Sequence, residues 1–156
     1  MKAIITVGVS ASGKSTFARE YVQANPDAIK IDRDDLRFSL RCAMSWGEYQ
    51  FNKKVERMVT LAHEAMITFA GKHCMDVVIA ETSLTPKTRA RLVQLLKAAG
   101  YSKITFKDFP ITLEEAIERD SKRQYSVGES VIRKQYVQWL EYLQSKEDDS
   151  CEHLTS

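Results

Sequence analysis

The 156-residue chain has room for one domain with a sizeable core and too little length for two of ordinary size. Its hydrophobic content of 44%, charged content of 28% and net charge of +2 are those of an ordinary soluble globular protein. They exclude a polybasic nucleic-acid binder, so anion binding must come from local placement of Arg and Lys. No apolar run approaches the ~20 residues of a membrane span. Cys42, Cys74 and Cys151 are odd in number and far apart, which favours neither a disulfide framework nor a zinc site and points to a reducing, cytoplasmic setting.

In chain order, "KAIITV" at 2–7 is β-branched and apolar, as in a strand buried on both faces. The run is too short for a signal peptide and leads straight into a Gly-rich loop. A helix runs from Lys14 through "STFAREYVQA" and stops before Asn25-Pro26. "AIKI" at 28–31 is a second strand, followed by the Asp-led helix "DRDDLRFSLRCA". Residues 48–72 read as a long helix whose core face is Phe51, Val55, Met58, Ala62, Ala65 and Phe69. Its Lys53, Lys54 and Arg57 read as a solvated basic face. "DVVIA" at 76–80 is a third buried strand, and Pro86 opens a helix closed by Gly100. "KITFKDF" at 103–109 is a fourth strand. Helices near 112–121 and 129–144 flank a polar segment at 122–128. Residues 1–144 read as one domain, and 145–156 as an acidic, flexible tail. Buried strands alternating with helices predict an α/β fold with a parallel sheet of about four strands and helices on both faces. In such a sheet the chemistry lies just after each strand.

After the first strand comes Gly8, four free positions, then Gly13-Lys14-Ser15. Between a strand and a helix this is the phosphate-binding P-loop pattern. Backbone N–H groups wrap the phosphates, Lys14 supplies a cation and the Ser15 hydroxyl suits Mg²⁺. After the second strand, Asp32 can cap the next helix, while Asp34 and Arg37 share one of its faces. A carboxylate beside an anion-binding Arg suits phosphoryl transfer to a hydroxyl rather than hydrolysis. After the third strand, Glu81 stands alone before Thr82 and Ser83, unlike the consecutive acids of many ATPase motors. Ser83 also fits a capping role, and Glu81 is placed to hold Arg37. After the fourth strand, Arg119, Lys122 and Arg123 form a basic lid segment able to steady a transferred phosphoryl group, although cations also suit a helix C-terminus. The chain lacks the D-x-x-G and N-K-x-D elements of a GTPase.

In that order and spacing, GVSASGKST, DRDDLR, AETSLTP and RDSKRQYSV resemble the 5′-kinase module of T-even phage polynucleotide kinase/phosphatase, through about residue 143. The resemblance implies a P-loop kinase fold using ATP and Mg²⁺. It implies that Gly8, Ser10, Ala11, Ser12, Gly13, Lys14, Ser15 and Thr16 cradle ATP, with Ser15 toward the metal. Asp34 is then the general base for a 5′-hydroxyl of DNA or RNA. Arg37, Glu81 and Thr82 belong to the acceptor phosphate's site, Val127 and Val131 line the acceptor base, and Arg123, supported by Arg119, stabilises the transferred group. The chain departs from the family in having Glu81 for an Asp and Gln124 for a small residue. It contains no DxDGT phosphatase signature. The resemblance therefore implies a kinase that works beside a ligase and a separate 3′-phosphatase. A small-molecule or nucleoside kinase on the same scaffold is the alternative reading.

Overall fold

The computed structural model describes residues 1–152, with side chains through Asp148; residues 153–156 of the expected tail lie outside the described residues. Four strands, β1 (Lys2–Val7), β2 (Ala28–Ile31), β3 (Asp76–Ile79) and β4 (Lys103–Asp108), form one all-parallel sheet in the order β2-β3-β1-β4. The connecting helices are α1 (Lys14–Ala24), α2 (Arg33–Arg41), α3 (Lys53–Lys72), α4 (Pro86–Ala98), α5 (Leu113–Ser121) and α6 (Glu129–Glu152).

Alternation along the inner strands divides the core between the two sheet faces. Ala3 and Ile5 of β1, with Val77 and Ile79 of β3, pack against Ile67 and Ala70 of α3 and Leu92 and Leu96 of α4. The intervening Val78, with Ile4 packed beside it, points the other way onto Ala18 and Phe17 of α1. Further along the Ala3–Ile5 face, Val7, with Val9 just beyond the strand, meets Ala116 of α5 and Ile132, Trp139 and Tyr142 of α6. Burying one such side chain stabilises the fold by about 1.5–3 kcal/mol. Gly71 lets α3 approach the end of α4: a Cβ there would lie 2.1 Å from the Ala99 carbonyl oxygen.

Four sequence expectations change. The inner face of α3 is Val59, His63, Ile67 and Ala70, whereas Phe51, Met58 and Phe69 are exposed. The helix also starts only at Lys53, where the Asn52 side chain caps it by accepting from the Lys54 and Val55 N–H groups. β4 is not a buried strand. It pairs with β1 alone, and Lys103, Thr105, Phe106 and Lys107 are exposed on this charged edge. Finally, α6 continues to Glu152, through the segment read as the start of a flexible tail.

From β1 the chain moves to one side for β2 and β3, then crosses back to the other for β4. The loops after β1 and β3 therefore flank the point where strand order reverses, where open parallel sheets bind ligands.

Candidate active site

The loop from Gly8 to Gly13 closes on itself before α1. Gly8 N–H donates to the Thr82 carbonyl (3.1 Å), tying the loops after β1 and β3 together. A Cβ at Gly8 would lie 2.9 Å from Ser12 Oγ and 3.0 Å from Phe109 Cβ, so the tight entry requires glycine. Ala11 and Gly13 are left-handed (φ 62° and 102°). No side chain caps α1 and its first turn has no acid, which leaves its N–H groups to an anion. Ser10 N–H donates to Gln135 Oε1 of α6 (2.7 Å), fixing the loop's rim. Lys14 is buried, with its ammonium folded onto the Val9 carbonyl and 3.3 Å from Ser12 Oγ. Burial, then the Arg123 charge, pushes it down to about 7 against the pull of Asp32 and Asp34.

The N-terminus of α2 has the opposite character. Asp32 caps it, accepting from the Asp34 N–H at 2.9 Å, and Asp34 and Asp35 occupy the first turn. Burial, followed by the Asp35 charge, raises Asp32 to about 6 despite Lys30 at 3.4 Å. The Asp34 carboxyl is half exposed and raised above the usual carboxylate range, chiefly by burial in the cleft wall, against the pull of Arg37. Arg37 donates to Asp34 Oδ1 through Nη1 (2.7 Å) and to both carboxylate oxygens of Glu56 through Nε and Nη2 (2.9 Å each). The Tyr49 hydroxyl also donates to Glu56 Oε1 (2.5 Å). These bonds, Arg37's first, hold Glu56 down at about 2, and Glu56 raises the Arg37 guanidinium in turn.

Glu56 of α3, then, holds Arg37, the role expected above of Glu81. Glu81 turns inward instead, to 2.8 Å from Nε2 of fully buried His63, although the two are misaligned for a hydrogen bond. Its charge also acts on Arg33, which donates to Thr60 Oγ1 at 2.9 Å. The inward turn takes up the longer reach of Glu where the family resemblance expects Asp.

The lid follows α5. Arg123 hydrogen-bonds the Tyr125 carbonyl and lies 3.8 Å from Asp120, while Arg119 pairs with Glu115 across one turn of α5. Asp120 is buried and accepts from Ser126 Oγ (2.7 Å), Val127 N–H (3.2 Å) and Gly128 N–H (3.0 Å).

One open cleft of about 1210 Å³ joins these parts. It exceeds the few hundred to about 1,000 Å³ of a small-molecule pocket, so it has room for a donor and an acceptor together. Ser10, Ala11, Ser12, Gly13, Lys14, Ser15 and Thr16 line it with Asp34, Arg37, Glu81, Thr82, Arg119, Arg123 and Val127. Val131, exposed on α6, is not among the lining residues. Sequence reasoning missed Glu56, Tyr49, His63 and Asp120. Only Asp120, placed just before a turn, carried a local cue, because the others act across the fold.

A family model described as an AAA domain, AAA_33, matches residues 4–145. The chain belongs to that family. This AAA domain is 32% identical over 135 residues to adenylyl-sulfate kinase of Saccharomyces cerevisiae, covering 83% of the chain and 63% of that protein. It is 26% identical over 147 residues to a putative bifunctional polynucleotide kinase/RNA ligase of Autographa californica nuclear polyhedrosis virus, covering 88% of the chain and 20% of that protein. Among solved structures, a chain of the Pnkp1/Rnl/Hen1 RNA repair complex matches with a TM-score of 0.76 and 30% identity, over 93% of this chain and 45% of that one. The domain thus spans less than two thirds of each of these relatives. It has the P-loop kinase fold and resembles polynucleotide kinases. Among the described residues no helix is long and apolar enough to cross a membrane.

Proposed function

We propose that this domain is a polynucleotide 5′-hydroxyl kinase, transferring the terminal phosphate of ATP to the 5′-hydroxyl end of DNA or RNA. The reading rests on one observation: Asp34 and Arg37, 2.7 Å apart, line the same cleft as the phosphate loop and the lid arginines. Asp34 takes the hydroxyl proton as the oxygen forms its bond to the terminal phosphorus. The bond from phosphorus to the bridging oxygen breaks and ADP leaves. A carboxyl raised above its usual range, chiefly by burial, is a stronger base for this step than an ordinary one. Lys14 and the loop N–H groups hold the donor phosphates, and Arg123 and Arg119 face the transferred group. Three of Arg37's five N–H donors are used by Glu56 and Asp34, which leaves two for a phosphate on the acceptor, with Thr82 beside it.

Magnesium fits the donor set. Ser15 is exposed to the cleft and Asp32 lines it. No group of three or more His, Cys, Asp or Glu among the described residues could hold an ion by itself. That is the pattern of a site where the nucleotide's phosphates supply most ligands. The ion, when bound, neutralises charge on those phosphates. The RNA repair complex and the viral polynucleotide kinase/RNA ligase among the relatives support a role in end repair beside a ligase.

The test is label transfer from ATP labelled at its terminal phosphate to 5′-hydroxyl DNA, RNA and a nucleoside 3′-monophosphate. Transfer to these acceptors is expected, and its absence under conditions where ATP binds would sink the proposal. The adenylyl-sulfate kinase relative favours a second reading, a kinase acting on adenylyl sulfate. Efficient phosphorylation of that compound, with none of oligonucleotides, would establish it instead.

A further inference from the structure

Beyond Arg37 the cleft wall becomes aromatic. Phe38 of α2 meets Trp46 edge-on (ring centroids 4.7 Å apart) and Tyr125 of the lid at 4.5 Å, and Trp46 meets Tyr49 at 5.6 Å. Phe38, Trp46 and Tyr125 all line the cleft, as does Met44, which is 56% exposed. The loop between α2 and α3 holds Trp46 in place. Tyr49 N–H donates to the Ser45 carbonyl (3.2 Å), Met44 N–H to Glu48 Oε2 (2.8 Å) and Ala43 N–H to the Phe38 carbonyl (3.1 Å). Phe38 follows directly on Arg37, and both line the cleft.

We propose that Trp46, Phe38 and Tyr125 form a stacking subsite for an unpaired nucleobase of the acceptor strand, adjoining the phosphate held by Arg37. The inference rests on the kinase reading above and specifies its acceptor as a single-stranded end. Half-buried aromatic side chains lining a cleft that also holds phosphate-binding groups suit a base followed by its phosphate. Val127 offers an aliphatic contact on the lid side, while Val131 is not among the residues lining the cleft. The aromatic wall thus supplies the flat surface that two valines would otherwise provide. Because Tyr125 lies two residues from Arg123 and touches Phe38, a base stacked here also steadies the lid arginine over the donor.

Stacking on an aromatic side chain is worth a factor of about ten per base by alanine substitution. Steady-state transfer to a single-stranded 5′-hydroxyl oligonucleotide should show KM raised about tenfold by Trp46→Ala. The KM for ATP should be unchanged, and Trp46→Phe should retain wild-type behaviour. An abasic residue at the first or second nucleotide should raise the wild-type KM by the same factor, and at that position Trp46→Ala should show no further loss. A loop merely loosened by the substitution would still respond to the missing base. Oligonucleotide binding should also quench Trp46 fluorescence, because Trp139 is only 3% exposed and away from the cleft. Transfer with no effect of either Trp46→Ala or the abasic positions overturns the subsite and leaves the kinase reading standing. Quenching that depends on the base, without transfer, overturns the kinase reading and leaves the subsite. Quenching by adenylyl sulfate and not by oligonucleotide overturns both.

Discussion

Two helices begin at the floor of the same cleft and are prepared for opposite visitors. α1 starts at a left-handed glycine with no side-chain cap and no acid in its first turn, beside a lysine held down at about 7. α2 starts with Asp32 as its cap and carries Asp34 and Asp35 in its first turn, with one carboxyl raised to about 6 and another raised above its usual range. Both follow parallel strands and both present a positive dipole end. At α1 that end is left open, so a phosphate can supply the missing charge. At α2 it is already satisfied by carboxylates, which on the proposed reading suits a hydroxyl and its proton. Position in the fold places the two halves, and residue choice at the first turn assigns their chemistry.

The largest effects should come from removing one member of each half. Asp34→Asn should reduce phosphoryl transfer by about 10²–10⁴-fold with ATP affinity nearly unchanged, measured by label transfer and calorimetry. Lys14→Ala should lower transfer by at least about 10²-fold and weaken ATP binding as well. If both variants lose ATP affinity equally, the division into halves is wrong.

Asp120→Ala tests whether the lid belongs to the donor half. It takes the buried carboxylate acceptor away from three donors and should cost about 1.5–3 kcal/mol of stability, read by urea unfolding. ATP KM should rise while acceptor KM stays put. Glu56→Gln should act on the acceptor half alone. Losing the charge and one prong that aims Arg37 should raise the acceptor KM about tenfold and leave ATP KM unchanged. An unaffected acceptor KM would show that Asp34 alone aims the guanidinium.

The smallest expected signal is a proton. Since Lys14 is depressed to about 7 in the free protein, donor phosphates should draw a fraction of a proton onto it at pH 8. That uptake should fade below about pH 6, where Lys14 is already charged. Calorimetry of ATP binding in two buffers of different ionisation heat measures it, and Lys14→Met should abolish it. The same depression means that the unfolded chain binds more protons between about pH 7 and the ordinary lysine value near 10.5. Stability of the free protein should therefore rise with pH across that window.

The donor half was legible because it is written in one stretch: β1, the glycine spacing and α1 stand where pattern and propensity put them. The acceptor half was legible only in its local part, Asp32, Asp34 and Arg37. Glu56 lies 19 positions from Arg37, and the pair is made by α3 packing against α2. No local rule reports such a contact. The phase of α3 failed for a related reason. Phe51, Met58 and Phe69 make as good an apolar stripe as Val59, Ile67 and Ala70, and the buried stripe contains a histidine that argues against it by composition. Periodicity fixes a helix's face only when the opposite face is polar. β4 misled because an edge strand carries β-branched and aromatic residues like an inner one, and only pairing reveals that one side is bare.

Asp120 gathers the side chain of Ser126 and the N–H groups of Val127 and Gly128, and its own carbonyl accepts from the Arg123 N–H. The segment between α5 and α6 is therefore a small knotted clasp rather than a slack flap. Such a clasp has little backbone freedom left to lose when a nucleotide arrives. Gripping the donor then needs only the swing of two guanidinium arms, Arg119 and Arg123, from a hinge that is already set. On the proposed kinase reading, nucleotide exchange should then be limited by release of the phosphates rather than by the opening of a loop.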